Sequence, residues 1–478
     1  MSAPYRRTVV DAAGWDAAAD AMEAGDTTLL SLWAEIGCVH LAVLDAEGIE
    51  ILSLPCPDGY FPSIGRRHPP AIRLERAVRD LFGLEPEGLP DPRPWLDHGR
   101  WGDEAVPAAA YPFLPVEGEA LHQIPVGPVH AGIIEPGHFR FTCDGETVVR
   151  LEARLGYVHK GIDRLLAGAP LARATKIAAR VSGDSTVAYA LGFAQAVEQA
   201  WGLAPPLRAV WLRAVMAELE RLAHHLGDWG AICNDAAFSL MLAHCGVLRE
   251  QVLRTAATCF GHRLMMDRVV PGGVAADLDA AGMAALQGLI AMLRARVPPL
   301  VKLYDDTASL QDRTVGTGRV SPALVAQFGA GGFVGRAAGR AFDARRATSY
   351  APYDGLRFEV PVLQAGDVNA RVWVRIREIE QSLSLLEQLL PGLPAGPVRI
   401  PPEDLPHGPA EGLALVEAFR GDLFVWVRLE AGQVQRCHFR DASWFQWPLL
   451  EAAIEGNIVA DFPLCNKSFN CSYAGHDL

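Results

Sequence analysis

The sequence has no C-x-x-C pair. Its nine cysteines are scattered, and the closest two, Cys465 and Cys471, stand six apart. That spacing excludes a paired-thiolate clamp for a soft metal and gives no disulfide framework. The cysteines read as small buried hydrophobes in a reducing cytoplasm. A basic excess is also missing: 43 Lys and Arg face 56 Asp and Glu, for a net charge of −13. A nucleic-acid binder needs cations to neutralise phosphates, so that class is excluded. No uncharged apolar run reaches the roughly 18 residues needed to cross a bilayer. The opening MSAPYRRTVV has no apolar signal segment. There are no internal repeats. The one glycine-rich stretch, Gly329–Gly335, follows the helix start Ser321-Pro322 and no strand, so it reads as a turn, not a nucleotide loop.

What is present is a 478-residue chain, half of it hydrophobic, enough for a large core and two or three domains. The expected fold class is α+β. Residues 1–110 read as a small α/β domain. Leu29–Trp33 and Val39–Leu44 are apolar segments, the second a strand, with turn signals at Asp45 and Gly48. A short helix follows from Arg73 and stops at Gly83. The proline-dense Glu85–Trp95 suits neither helix nor inner strand. Residues 111–120 close a linker that begins near 98, and 121–478 form the second domain. It opens with a hairpin region whose turn is Asp144-Gly145. Pro205-Pro206 starts a helix with the stripe Leu212, Val215, Leu219, Leu222 and Leu226. His224 and His225 are expected in its last turn, where a cation suits the helix dipole. They face about 100° apart, so they do not share a metal. A second long helix, Val372 to Leu390, is expected to stop at Pro391. Strand-like alternation is expected at Leu423–Leu429 and then from Ala460 to Leu478.

Several short stretches carry chemistry. Arg180-Val-Ser182-Gly-Asp-Ser185 has the frame of a metal-binding loop with serine where a soft metal would need thiolate. Alone, these serines read as capping or loop hydroxyls. Gly127-Pro-Val-His130 through Glu135 to His138 places two imidazoles and a carboxylate in one loop; Glu135 reads equally as a surface charge at the hairpin tip. Histidine titrates near neutral pH, and a carboxylate can fix its tautomer.

With His159-Lys160-Gly161, Asp228-Trp-Gly-Ala231, Phe358–Arg371 and the last nineteen residues, these stretches resemble one superfamily. It contains the large subunit of group 4 [NiFe]-hydrogenases and the quinone-site, 49 kDa-type subunit of respiratory complex I. Glu75-Arg76…Asp80…Phe82-Gly83, followed by Pro90-Asp91-Pro92-Arg93, resembles the 30 kDa-type subunit of complex I. The fused order resembles hydrogenase-4 and formate hydrogenlyase subunits. The resemblance implies that Ser182, Ser185, Ser472 and Gly475 stand at the four nickel–iron cysteines, so no NiFe centre is expected. It implies an imidazole from His130 or His138 paired with Asp228, proton transfer at Glu135, and Tyr189 as a substitute for a lost quinone phenol. His159 and Lys160 would lie beside a [4Fe-4S] cluster of a small Fe–S partner. The expected setting is a hetero-oligomer with antiporter-like membrane subunits at the cytoplasmic face of the inner membrane, with quinone as the candidate ligand. A catalytically silent scaffold, and a hydrogenase with unusual ligands, are the alternatives.

Overall fold

Alternating apolar residues build a four-stranded sheet in the computed structural model, which describes residues 5–99, 101, 111–132 and 134–478. Its strands are β1 (Tyr5–Val9), β2 (Thr28–Glu35), β3 (Cys38–Asp45) and β4 (Gly48–Pro55), in the order β1-β4-β3-β2. Only the β1–β4 pair is parallel, and helix α1 (Ala12–Ala24) carries the chain from β1 across to β2 at the opposite edge of the sheet. Helix α2 (Ile72–Phe82) ends at Gly83, whose φ of +67° favours glycine. The proline-dense segment supplies only the short strand Glu85–Glu87, paired with Tyr60–Pro62. Much of the expected linker, residues 102–110, lies outside the described residues.

A three-stranded meander follows: β5 (Leu121–Val126), β6 (His138–Asp144) and β7 (Thr147–Arg154), with the predicted turn at Gly145. The helical body comprises α3 (Thr186–Trp201), α4 (Leu207–Asp235), α5 (Ser239–Phe260), α6 (Ala280–Asp306) and α7 (Val368–Gly392). A second long-stranded sheet holds β8 (Ala410–Ala418), β9 (Gly421–Glu430) and β10 (Gln433–Arg440). Helices α8 (Ser443–Ile454), α9 (Phe462–Phe469) and α10 (Tyr473–Asp477) close the chain. The first sheet does not stand apart. Leu30, Trp33, Ala42 and Ile51 pack in one cluster with Leu413, Leu415, Phe424 and Trp426 of β8 and β9. Burial of aromatic and aliphatic faces between two sheets is what fixes their relative position.

Two expectations fail. α4 does not stop near His225 but runs on to Asp235. Gly227 and Gly230 do not break it, because they let α5 come close: a Cβ on Gly230 would lie 2.8 Å from the Cys245 Cβ. His224 and His225 therefore sit mid-helix. Burial, not the helix dipole, governs them, and it pushes His224 down to about 4. The last segment is also not strand-like. Pro463 in the first turn of α9 and Ser472 as the N-cap of α10 make it helical.

Candidate functional site

The loop before α3 and the turn before α10 bring three of the four expected ligand positions to one place as hydroxyls. The Ser182 and Ser472 Oγ atoms are 2.9 Å apart. Ser182 donates to Asp184 at 2.8 Å, and Ser472 accepts from the Gly475 N–H at 2.9 Å. Ser185 accepts from Arg420, whose guanidinium also binds both oxygens of Asp184. Burial would raise the Asp184 carboxyl, but the Arg420 charge outweighs it and holds the group well below the usual carboxylate range.

The fourth position is closed. A Cβ on Gly475 would lie 2.7 Å from the Tyr189 hydroxyl and 2.8 Å from an Asp441 oxygen. Tyr189, fully buried on α3, donates to that Asp441 oxygen at 2.8 Å. Burial and the Asp441 charge keep the phenol protonated. Nickel and low-spin iron need soft thiolate donors. Three hydroxyls already engaged, Ser182 with Ser472 and Ser185 with Arg420, and a glycine whose side-chain space a phenol limits, do not fit such a centre. Among the described residues no group of three His, Cys, Asp or Glu side chains could hold a metal ion.

Beside this plug lies a cavity of about 620 Å³, lined by His130, Glu135, Ser182, Arg420, Lys467 and Tyr473 among others. The β5–β6 loop carries His130 and Glu135 to its wall. His130 Nε2 is 3.4 Å from the Tyr473 hydroxyl, and burial lowers its proton affinity. Glu135 accepts the Ala474 N–H at 3.0 Å, at the start of α10. Of the two candidate imidazoles only His130 lines the cavity. His138 is fixed in β6, with Nδ1 3.2 Å from the Gly127 carbonyl and its ring against Phe113.

Asp228 pairs with neither histidine. It accepts from Lys467 at 3.2 Å and from Asn470 at 2.9 Å, and lies 3.5 Å from Arg375. Tyr189 lies behind Gly475 and does not line the cavity. His159 meets the Asp477 carbonyl at 2.7 Å, and Lys160 donates to the Val181 carbonyl at 2.6 Å. Burial lowers the Lys160 ammonium, against the opposing charges of Glu135 and Asp477.

Sequence reasoning missed Arg420, Lys467, Tyr473 and Asp441. Tyr473 and Lys467 stood inside the terminal segment already singled out, and Tyr473 was the only phenol between Ser472 and Gly475. Arg420 and Asp441 flank β9 and β10, and nothing local in their sequence marks them; only the sheet delivers them.

Residues 236–407 match the family described as respiratory-chain NADH dehydrogenase, 49 Kd subunit, and residues 34–111 match the 30 Kd subunit. The chain is 33% identical over 438 residues to formate hydrogenlyase subunit 5 of Escherichia coli, covering 87% of this chain and 77% of that protein. It is 32% identical to the carbon monoxide-induced hydrogenase of Rhodospirillum rubrum, covering 73% of this chain and 98% of the other. It is 30% identical to a component of the NADH-quinone oxidoreductase of Desulfotalea psychrophila, covering 70% and 91%. A chain of the solved membrane-bound sulfane sulfur reductase, an archaeal respiratory membrane complex, superposes with a TM-score of 0.71 at 26% identity, covering 76% of this chain and all of that one. The chain belongs to the superfamily of group 4 [NiFe]-hydrogenase large subunits and complex I 49 kDa-type subunits, in the fused form that carries a 30 kDa-type region in front.

Proposed function

We propose that this chain is a core peripheral subunit of a membrane-associated redox complex whose old metal position has become a small-molecule cavity. The supporting observation is the pairing of a closed plug with an open space. The four ligand positions are tied up by Ser182–Ser472, Asp184–Arg420 and Tyr189–Asp441, while about 620 Å³ stays accessible beside them. A quinone head group is the ligand class this wall suits. His130 and Tyr473, hydrogen-bonded to each other, leave one polar hydrogen for a ligand oxygen, and Lys467 offers a cation for a developing oxyanion. Glu135, exposed at the rim, can deliver protons from solvent. Electrons would come from a [4Fe-4S] cluster of a small Fe–S partner docked near His159 and Lys160, and antiporter-like membrane subunits would complete the assembly at the cytoplasmic face of the inner membrane.

Sulfur chemistry is a poorer match. Among the described residues Cys471 is the only cysteine on the cavity wall, and burial raises its thiol far from the reactive thiolate form. The test uses the native complex, purified through a tag on this chain, with its clusters chemically reduced. Their EPR signal should decay on adding a short-chain quinone, and His130→Ala and Tyr473→Phe should each slow the decay at least tenfold. Intact clusters that are never reoxidised would leave the scaffold reading.

A further inference from the structure

A second polar system runs through the molecule away from the plug. On α4, Glu218, Arg221, His225 and Asp228 follow at steps of three, four and three residues, and all are buried. On the facing α7, Arg375, Glu378 and Ser382 follow at steps of three and four. This is the spacing that normally carries the apolar seam between two helices. Ser382 donates to Glu218 at 2.7 Å, His225 Nε2 meets Glu378 at 2.6 Å, and Arg375 lies 3.5 Å from Asp228. Arg336 ties in Glu378 and Glu417 by hydrogen bonds and Asp343 at 3.6 Å, and Arg345 bridges Asp343 and Glu218.

One end reaches the cavity through Asp228 and Lys467. The other reaches a separate cavity of about 550 Å³, whose wall includes Tyr350 and Tyr353. Tyr353 donates to Glu218 at 2.7 Å, and the Tyr350 hydroxyl accepts the Glu417 N–H at 3.2 Å.

Burying so many ions costs more than an apolar seam of the same volume would, so their presence calls for a role. The contacting set holds four carboxylates, Glu218, Asp343, Glu378 and Glu417, and three guanidiniums, Arg221, Arg336 and Arg345. The nearest further cations are committed elsewhere or unattached. Arg375 pairs with Asp228; Arg340 faces Glu417 and the Asp422–Arg440 pair but, among the described residues, makes no hydrogen bond to any of the four carboxylates.

We propose that this seam is a proton-holding site, with one exchangeable proton held either on Glu417 or on the His225–Glu378 pair, which compete for it by charge across Arg336, loaded from the Tyr350–Tyr353 cavity. His225 is built for part-time use: its Nδ1 is buried with no partner, between Phe333 and Phe419. Burial lowers His225 against the pull of Glu378, while burial and Asp343 push Glu417 up to about 7, against Arg336, Arg221 and Arg345. The guanidiniums keep their own protons, so the seam addresses the quinone cavity by charge, through Arg375 and Asp228, and not by a proton hop. That last coupling rests on the function proposed above; the proton site does not.

The experiment is an infrared pH titration of the purified complex with no quinone added. Beside the bands of Glu75 and Glu220, two buried carboxyls that burial also raises, wild type should show one further buried carboxylic acid C=O band that fades as pH rises through neutrality. Glu417→Gln leaves three carboxylates facing three guanidiniums, so the band should vanish; His225→Asn removes the competing site, so the band should grow. Isotope-labelled glutamate in the unsubstituted chain, which needs no variant to fold, should shift the band. A wild-type complex with no such band, or a band indifferent to both the label and Glu417→Gln, overturns the proposal. Repeating the titration with quinone separates the two readings: a band that is present but does not respond to quinone leaves the proton site standing and removes the coupling.

Discussion

The cavity and the seam use the same side-chain types, and they differ in their access to water. At the cavity, His130 and Glu135 sit on a loop and can exchange protons freely. In the seam, Glu378 and Arg336 are almost wholly shut off and in direct contact with each other. The lesson is that exposure sets what such residues can do: the open set suits chemistry on a ligand, and the sealed set suits holding charge. Asp228 belongs to both, since it binds the cavity residue Lys467 and the seam residue Arg375.

That contrast can be broken most forcefully in the seam. Arg336→Met removes the shared partner of Glu378 and Glu417 and leaves buried carboxylates uncompensated. It should cost about 3–5 kcal/mol, or abolish assembly outright, as read by chemical denaturation and by yield of the complex.

The plug beside the cavity should respond next. Gly475→Ala forces a methyl against the Tyr189 hydroxyl and should cost about 1–3 kcal/mol. Combined with Tyr189→Phe, which removes that hydroxyl, the cost should be less than the sum, with a coupling above about 0.5 kcal/mol in a double-mutant cycle. Strict additivity would mean that the phenol does not occupy the lost ligand's space.

A sealed carboxylate should also shape the pH profile. Glu220 accepts the Val187 and Ala188 N–H groups at the start of α3, at 2.7 and 3.1 Å, yet burial pushes it up from 4.5 to about 8. Its folded proton affinity exceeds the unfolded one. Its favourable contribution is therefore complete below the ordinary value and is lost as pH rises through about 8. Glu220→Gln should flatten the fall of Tm between those limits; an unchanged slope would place the titration elsewhere.

The smallest effect on stability belongs to the open side. Glu135→Gln, at an exposed carboxylate, should change stability by no more than about 0.5 kcal/mol, while slowing quinone-driven reoxidation of the clusters. A large loss of stability instead would make Glu135 a structural cap of α10.

Much of this was legible in the sequence because it is local. The Gly83 stop, the Asp144-Gly145 turn and the long helices follow from backbone preferences and periodicity, and the serine-for-cysteine exchange follows from side-chain chemistry at fixed spacing. The seam was legible in principle: Glu218, Arg221, His225 and Asp228 show the three–four rhythm, but the Leu212–Leu226 stripe on the same helix drew the reading first. The end of α4 was misplaced because His224 and His225 were expected in its last turn, whereas Gly227 and Gly230 beyond them continue the helix against α5, some fifteen residues later in the chain.

The sequence alone therefore determined the α+β class, the missing thiolates and the family, since each depends on residue type and short spacing. Tertiary structure alone decided that His130 and not His138 faces the cavity, that Asp228 takes Lys467 and Arg375 as partners, and that Tyr189 with Asp441 limits the space of the fourth ligand. Those choices are set by where side chains hundreds of residues apart are pressed together in a dry interior. There, each buried polar group must find a partner, and no local pattern records which one it will be.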